Sequence, residues 1–183
     1  MASTPTKLMT FAEFEQLPDP EGGWYELING ELVFVPPAKH RHFMTLQRLR
    51  ELLQSAAPNV GKGAGKAYTE APLKPTPDLN WFQVDVAYAT VERWSEPDPN
   101  GYFLGSPELV IEVLSPSNRP AHIAPKRKIC LQTGAREFWG VDIDKRTVEA
   151  GTPDGRSITY KSAEQIPLFF SPGSTIAVDR IFA

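Results

Sequence analysis

Apolar and polar positions change period along the chain, and each period predicts an element. Over 81–90 they alternate, with Phe82, Val84 and Val86 on one face and Trp81, Gln83, Asp85 and Ala87 on the other, which predicts a strand. Residues 109–114 are apolar at every position except Glu112, the pattern of a strand buried on both faces. A second apolar run, 138–141, reads the same way. Over 39–57 the spacing becomes three and four: Phe43, Leu46, Leu49, Leu52 and Leu53 form a stripe, with Arg48, Arg50 and Glu51 between them, so a helix is expected.

Punctuation fills in the rest. Thr10 followed three residues later by Glu13 suits a capping box on a short helix over 10–17. Two β-rich runs, 24–28 and 31–35, flank Asn29-Gly30, a strong hairpin signal. Residues 59–66 are a glycine-rich connection, 67–73 an edge strand, 92–106 a loop, and 116–120 a turn. Pro125 suits the first position of a helix that Gly134 closes. Residues 109–141 then read strand, crossover, helix, strand, with parallel strands and a right-handed connection. The segment 146–150 pairs back, and Ile158, Tyr160, Leu168, Phe169, Ile176 and Val178 belong to short strands near the C-terminus. The fold class is α/β with a mixed sheet, expected as a single domain over 1–183.

Composition changes this picture little. Apolar residues make up 41% of the 183 and charged ones 22%, as in ordinary globular chains. One cysteine, Cys130, allows no internal disulfide and suits a reducing compartment. No stretch approaches the roughly 18 apolar residues that span a bilayer, and the start of the chain lacks a signal peptide's apolar run. A cytoplasmic protein without a membrane partner is expected. The net charge of −3 argues against coating DNA non-specifically. Yet 117–136 holds no acid and five bases, Arg119, Lys126, Arg127, Lys128 and Arg136, a patch that suits a short phosphate segment or a solvated helix face.

Glu112 is the informative anomaly. A lone carboxylate inside an apolar strand costs several kcal/mol unless it is paired or bound to a cation. Asp85 poses the same problem on its strand. If the strands are neighbours, the two acids meet, and a divalent cation is the natural remedy for their repulsion. Separate structural ion pairs are the alternative. Lys126 shares a stripe with Ile129, Cys130 and Thr133, so it points at the sheet, whereas Arg127 and Lys128 point elsewhere. Other chemistries fail on spacing. The glycines of 60–67 lack the first glycine and final hydroxyl of a phosphate loop, and His40, His42 and His122 form no HExxH. A Gly-x-Ser-x-Gly elbow is missing as well.

Taken in order, the segments Tyr25-Glu26-Leu27-Ile28-Asn29-Gly30-Glu31-Leu32-Val33, His40 opening a helix, Val84-Asp85-Val86, Pro107 through Ser117, Lys126, and Gly134 through Asp142 resemble the Uma-type family of restriction endonucleases, within the PD-(D/E)XK nuclease superfamily. The resemblance runs from about Phe11 to Phe182. It implies a restriction endonuclease-like fold, with a central mixed sheet flanked by helices. Asp85 matches the family's metal-binding Asp, Glu112 the acid of the second half-motif, and Glu26 a further family acid. The superfamily's usual lysine position, two after that acid, is Leu114 here, and Lys126 matches a lysine that the family takes from the next helix. Val84 replaces a proline, and Cys130 and Leu131 replace an aromatic and a small residue.

The implied activity is hydrolysis of DNA phosphodiester bonds with Mg²⁺ or Mn²⁺ as cofactor. Asp85, Glu112 and the Val113 carbonyl would supply hard oxygen ligands. Lys126 would orient the attacking water or stabilise the developing oxyanion. Arg119, Lys128 and Arg136 are candidates for phosphate contacts. A homodimer follows by analogy with enzymes that cut both strands. The competing reading is a non-catalytic nucleic-acid-binding protein on the same scaffold.

Overall fold

The computed structural model describes residues 8–61, 63–76, 78–94, 101–114 and 120–183. Helix α1 (Phe11–Phe14) starts as expected: the Thr10 side chain accepts from the Glu13 N–H, and the Glu13 carboxylate accepts from the Thr10 N–H. Strands β1 (Trp24–Ile28) and β2 (Glu31–Val35) form the hairpin. Asn29 and Gly30 both take left-handed backbone, at φ 52° and 77°, which a two-residue turn of this twist requires. Helix α2 (His40–Ala56) follows. Its buried stripe is His42, Thr45, Leu46, Leu49, Leu52 and Leu53, while Phe43 is 43% exposed. The stripe is thus centred on His42, one position before the expected Phe43, because Phe43 lies about 100° round the helix from it.

Strand β3 (Gly65–Thr76) and strand β4 (Asn80–Thr90) pair antiparallel along nearly their whole length. The region expected as loop contains α3 (Val91–Trp94) and β5 (Phe103–Leu104), the latter parallel to β3. Strand β6 (Leu109–Leu114) leads to α4 (Pro120–Gln132) and β7 (Glu137–Asp142), and β6 and β7 are parallel as expected. Pro125 lies inside α4 rather than at its start, since the helix already begins at Pro120. Most of the turn expected at 116–120 falls outside the described residues. Strands β8 (Thr147–Gly151) and β9 (Ser157–Tyr160) continue the sheet by antiparallel pairing. Strands β10 (Gln165–Pro167) and β11 (Thr175–Ala177) form a separate pair, and α5 (Val178–Ile181) takes Val178 out of the expected strand.

The large sheet has the order β2-β1-β4-β6-β7-β8-β9, with β3 on the other edge of β4. Two cores cover its faces. One joins α2 and α5 to Val86, Ile111, Val113 and Trp139, and the other joins Ile129 and Cys130 of α4 to Phe82, Val84, Val110 and Phe138. Val86 therefore packs on the opposite side from Phe82 and Val84, against the simple alternation. The phase breaks at Asp85, where Glu70, its neighbour across the β3–β4 ladder, takes left-handed backbone at φ 52°. Among the described residues, no helix is long and apolar enough to cross a membrane.

Candidate active site at the fork of the sheet

Two strands share one edge of β4. Strand β1 pairs near its start, with Leu27 opposite Trp81, and β6 pairs near its end, with Val86, Ala87 and Tyr88 opposite Ile111, Val110 and Leu109. Between them lies a fork where the backbone of β4 has no strand partner on that side. Side chains take over the ladder. The Gln83 N–H donates to Glu26 Oε1 at 3.1 Å, and the Gln83 carbonyl accepts from Lys126 Nζ at 2.9 Å. One step beyond the last β4–β6 pair, Asp85 Oδ2 accepts the Val113 N–H at 2.7 Å. Buried backbone groups need partners, and here acids and a lysine supply them.

Three elements deliver the charged groups. Glu26 projects from the same face of β1 as Ile28, towards the α4 core. Glu112 projects from β6 towards the same side. Lys126 descends from α4 on the stripe with Ile129 and Cys130, both buried as expected. Lys126, Glu112 and Glu26 are 5%, 2% and 2% exposed. The Lys126 ammonium lies 2.9 Å from Glu26 Oε2 and 3.2 Å from Glu112 Oε1. Its three protons thus meet Glu26, Glu112 and the Gln83 carbonyl.

Asp85, Glu26 and Glu112 outnumber the one ammonium. The imbalance falls on Glu112. Burial pushes its carboxyl up to about 8, with Lys126 opposing and Asp85 and Glu26 adding to the rise. Lys126 moves up as well: burial alone would lower it, but Glu112 and Glu26 favour its charged form. On the far side of the acids, His42 Nε2 lies 3.1 Å from Asp85 Oδ1. These side chains line a cleft of about 110 Å³ together with Lys39, Glu70 and His122.

Sequence reasoning therefore places Asp85, Glu112, Lys126 and Glu26 at a common site. It missed His42, although the signal was present: His42 precedes Leu46, Leu49 and Leu53 by four, seven and eleven residues. The phosphate-contact candidates fare differently. Arg119 lies outside the described residues. Lys128 and Arg136 are exposed and neither lines the cleft. The Arg136 guanidinium sits 4.5 Å from the centre of the Phe169 ring, beside the start of β7 and away from Glu112. Arg127 is engaged with Glu149. The basic side chains on the cleft wall besides Lys126 are Lys39, His42 and His122.

Among the described residues, no three His, Cys, Asp or Glu side chains converge as a ready-made metal cage. The donor chemistry still fits a small hard cation. Mg²⁺ is commonly held by one or two carboxylates, with waters and substrate oxygens completing its shell. Asp85 and Glu112 would suit such a pair, since the acids around Lys126 outnumber its ammonium. The Val113 N–H and carbonyl leave β6 on the same edge, the one that faces Asp85.

No curated protein matches the chain. In fold it matches the crystal structure of a putative nuclease belonging to DUF820 from Anabaena variabilis ATCC 29413, with a TM-score of 0.80 over 95% of this chain and 97% of that one, at 20% identity. At that identity the likeness concerns architecture alone: a mixed sheet flanked by helices. The sequence model of a family described as "Uma2: Putative restriction endonuclease" matches residues 11–183, and the chain belongs to that family.

Proposed function

We propose that this protein is a divalent-metal-dependent endonuclease that hydrolyses phosphodiester bonds of DNA. One observation carries the proposal: Asp85, Glu26 and Lys126 replace strand pairing at the fork, and Glu112 is ion-paired to Lys126 there, in a cleft open to a ligand. Asp85, Glu112 and the Val113 carbonyl would hold Mg²⁺ or Mn²⁺. The cation, when bound, lowers the pKa of a water and offsets charge developing on the phosphoryl oxygens.

The chain's own groups prepare the rest. Glu26 anchors Lys126 through two contacts, at 3.0 and 2.9 Å, and so fixes its reach. The bond to Glu112 is the longest that Lys126 makes, at 3.2 Å. It is the one Lys126 would give up in presenting an ammonium proton to a phosphate. Lys39 and His122 line the approach and suit the flanking backbone better than Lys128 or Arg136. By analogy with enzymes of this fold that pair to cut both strands, the functional unit would be a homodimer, and the buried Cys130 thiol suits a reducing cytoplasm.

A non-catalytic nucleic-acid-binding role draws on the engagement of all three Lys126 protons. Cleavage separates the two. The full chain with Mg²⁺ or Mn²⁺ should nick or linearise plasmid DNA, and chelation or Asp85→Ala should abolish cutting. Equal cutting by the variant rejects the site. Retention of DNA without cutting in any metal supports the non-catalytic role.

A further inference from the structure

We propose that His42 is a positioning residue for Asp85, holding its carboxylate in the orientation that a metal ion needs; the inference rests on Asp85 being a metal ligand, as proposed above. His42 occupies the centre of the buried stripe of α2, at 8% exposure. Leu46, Leu49 and Leu53, at 1%, 0% and 0%, seat that helix in the core. Leucine at position 42 would extend the stripe and bury more apolar area. The imidazole instead faces the cleft and meets Asp85.

The carboxylate is held from two directions. His42 Nε2 meets Oδ1 at 3.1 Å, and the Val113 N–H meets Oδ2 at 2.7 Å. An ionised carboxylate only accepts, so the imidazole nitrogen facing it carries the hydrogen. The terminal torsion of an aspartate is broad and soft, so the Val113 bond alone leaves the carboxylate free to swing. The second donor, on the other oxygen, stops that motion. Each oxygen keeps a lone pair for a further partner. The two donors also come from different places, one from β6 beside Glu112 and one from a helix locked into the opposite core. The spacing of the two acids is thereby tied to the packing of the sheet. Partners of this kind behind a metal ligand orient it and tune its affinity.

The test measures Mn²⁺ binding by calorimetry on the full chain, comparing wild type, His42→Gln and His42→Leu, with the thermal midpoint of each metal-free protein taken alongside. Glutamine keeps an N–H at similar reach; leucine suits the stripe but donates nothing. His42→Leu is expected to bind Mn²⁺ about 10- to 100-fold more weakly, while His42→Gln stays close to wild type and the metal-free midpoint of His42→Leu is preserved or raised. DNA cleavage by His42→Leu should recover as Mn²⁺ is increased. Unchanged Mn²⁺ affinity in His42→Leu overturns the positioning role and leaves the metal site standing, as does equal weakening in His42→Gln. Failure of the wild type itself to take up Mn²⁺ overturns both.

Discussion

Lys126 and Arg127 are neighbours on α4, yet the sheet treats them differently. Lys126 enters the fork, with 7% of its side chain exposed, and meets acids that are 3% exposed. Arg127 turns towards β8 and pairs with Glu149 at 2.7 Å, with side-chain exposures of 30% and 47%. It lies so close over Gly151 that any Cβ there would collide with the guanidinium. The shorter ion pair is the surface one, yet losing a partner from it should cost less. Water and salt screen it, and either partner can return to solvent. In the fork, a charge that loses its partner has no solvent to fall back on. Burial, not contact distance, sets what losing one partner should cost.

Removing Lys126 should break the comparison most visibly. Lys126→Ala leaves three acids without their cation, and loss of one partner from a buried pair costs about 3–5 kcal/mol. Urea unfolding of the metal-free protein measures it, and a loss under 1 kcal/mol would mean that the acids carry protons and need no ammonium.

The next effect is pH dependence. Glu112, raised from 4.5 to about 8, keeps its proton in the folded chain over a window where the unfolded chain has lost it. The stability of the metal-free protein should therefore fall as pH rises through that window, by at most about 1.4 kcal/mol per unit. Glu112→Gln should flatten the slope. Over the same window a cation must displace that proton, so Mn²⁺ affinity should climb by up to about tenfold per unit and level off near pH 8. Calorimetry in buffers of different ionisation enthalpy would count the released proton. Affinity that is flat with pH would show Glu112 already ionised.

Smallest is the surface pair. Arg127→Ala should cost about 0–1 kcal/mol, less in high salt. A loss equal to that of Lys126→Ala would erase the contrast.

Local rules were legible in the sequence, and long-range ones only where an acid broke them. The Thr10–Glu13 box, the Asn29-Gly30 turn and the span of α2 rest on neighbours within a few positions. Glu112 and Lys126 were legible because a charge in an apolar stripe demands a partner. His42 was hidden because Phe43 next to it is more hydrophobic, and hydrophobicity alone chose the wrong centre for the stripe. Pro125 misled because a proline after the first turn is rarer than one within it, and Pro120 had already taken that place. The fork was beyond reach of any periodicity: it depends on β1 and β6 sharing one edge of β4, which no segment encodes by itself.

The bond from Lys126 to Glu26 spans 100 positions of the chain. Contacts that distant form late, because closing a long loop is entropically unfavourable until its neighbours are in place. Assembly of the cluster thus waits until the chain extends through α4. A nascent chain that has emerged only as far as β6 carries the three acids but not Lys126, the ammonium that two of them meet.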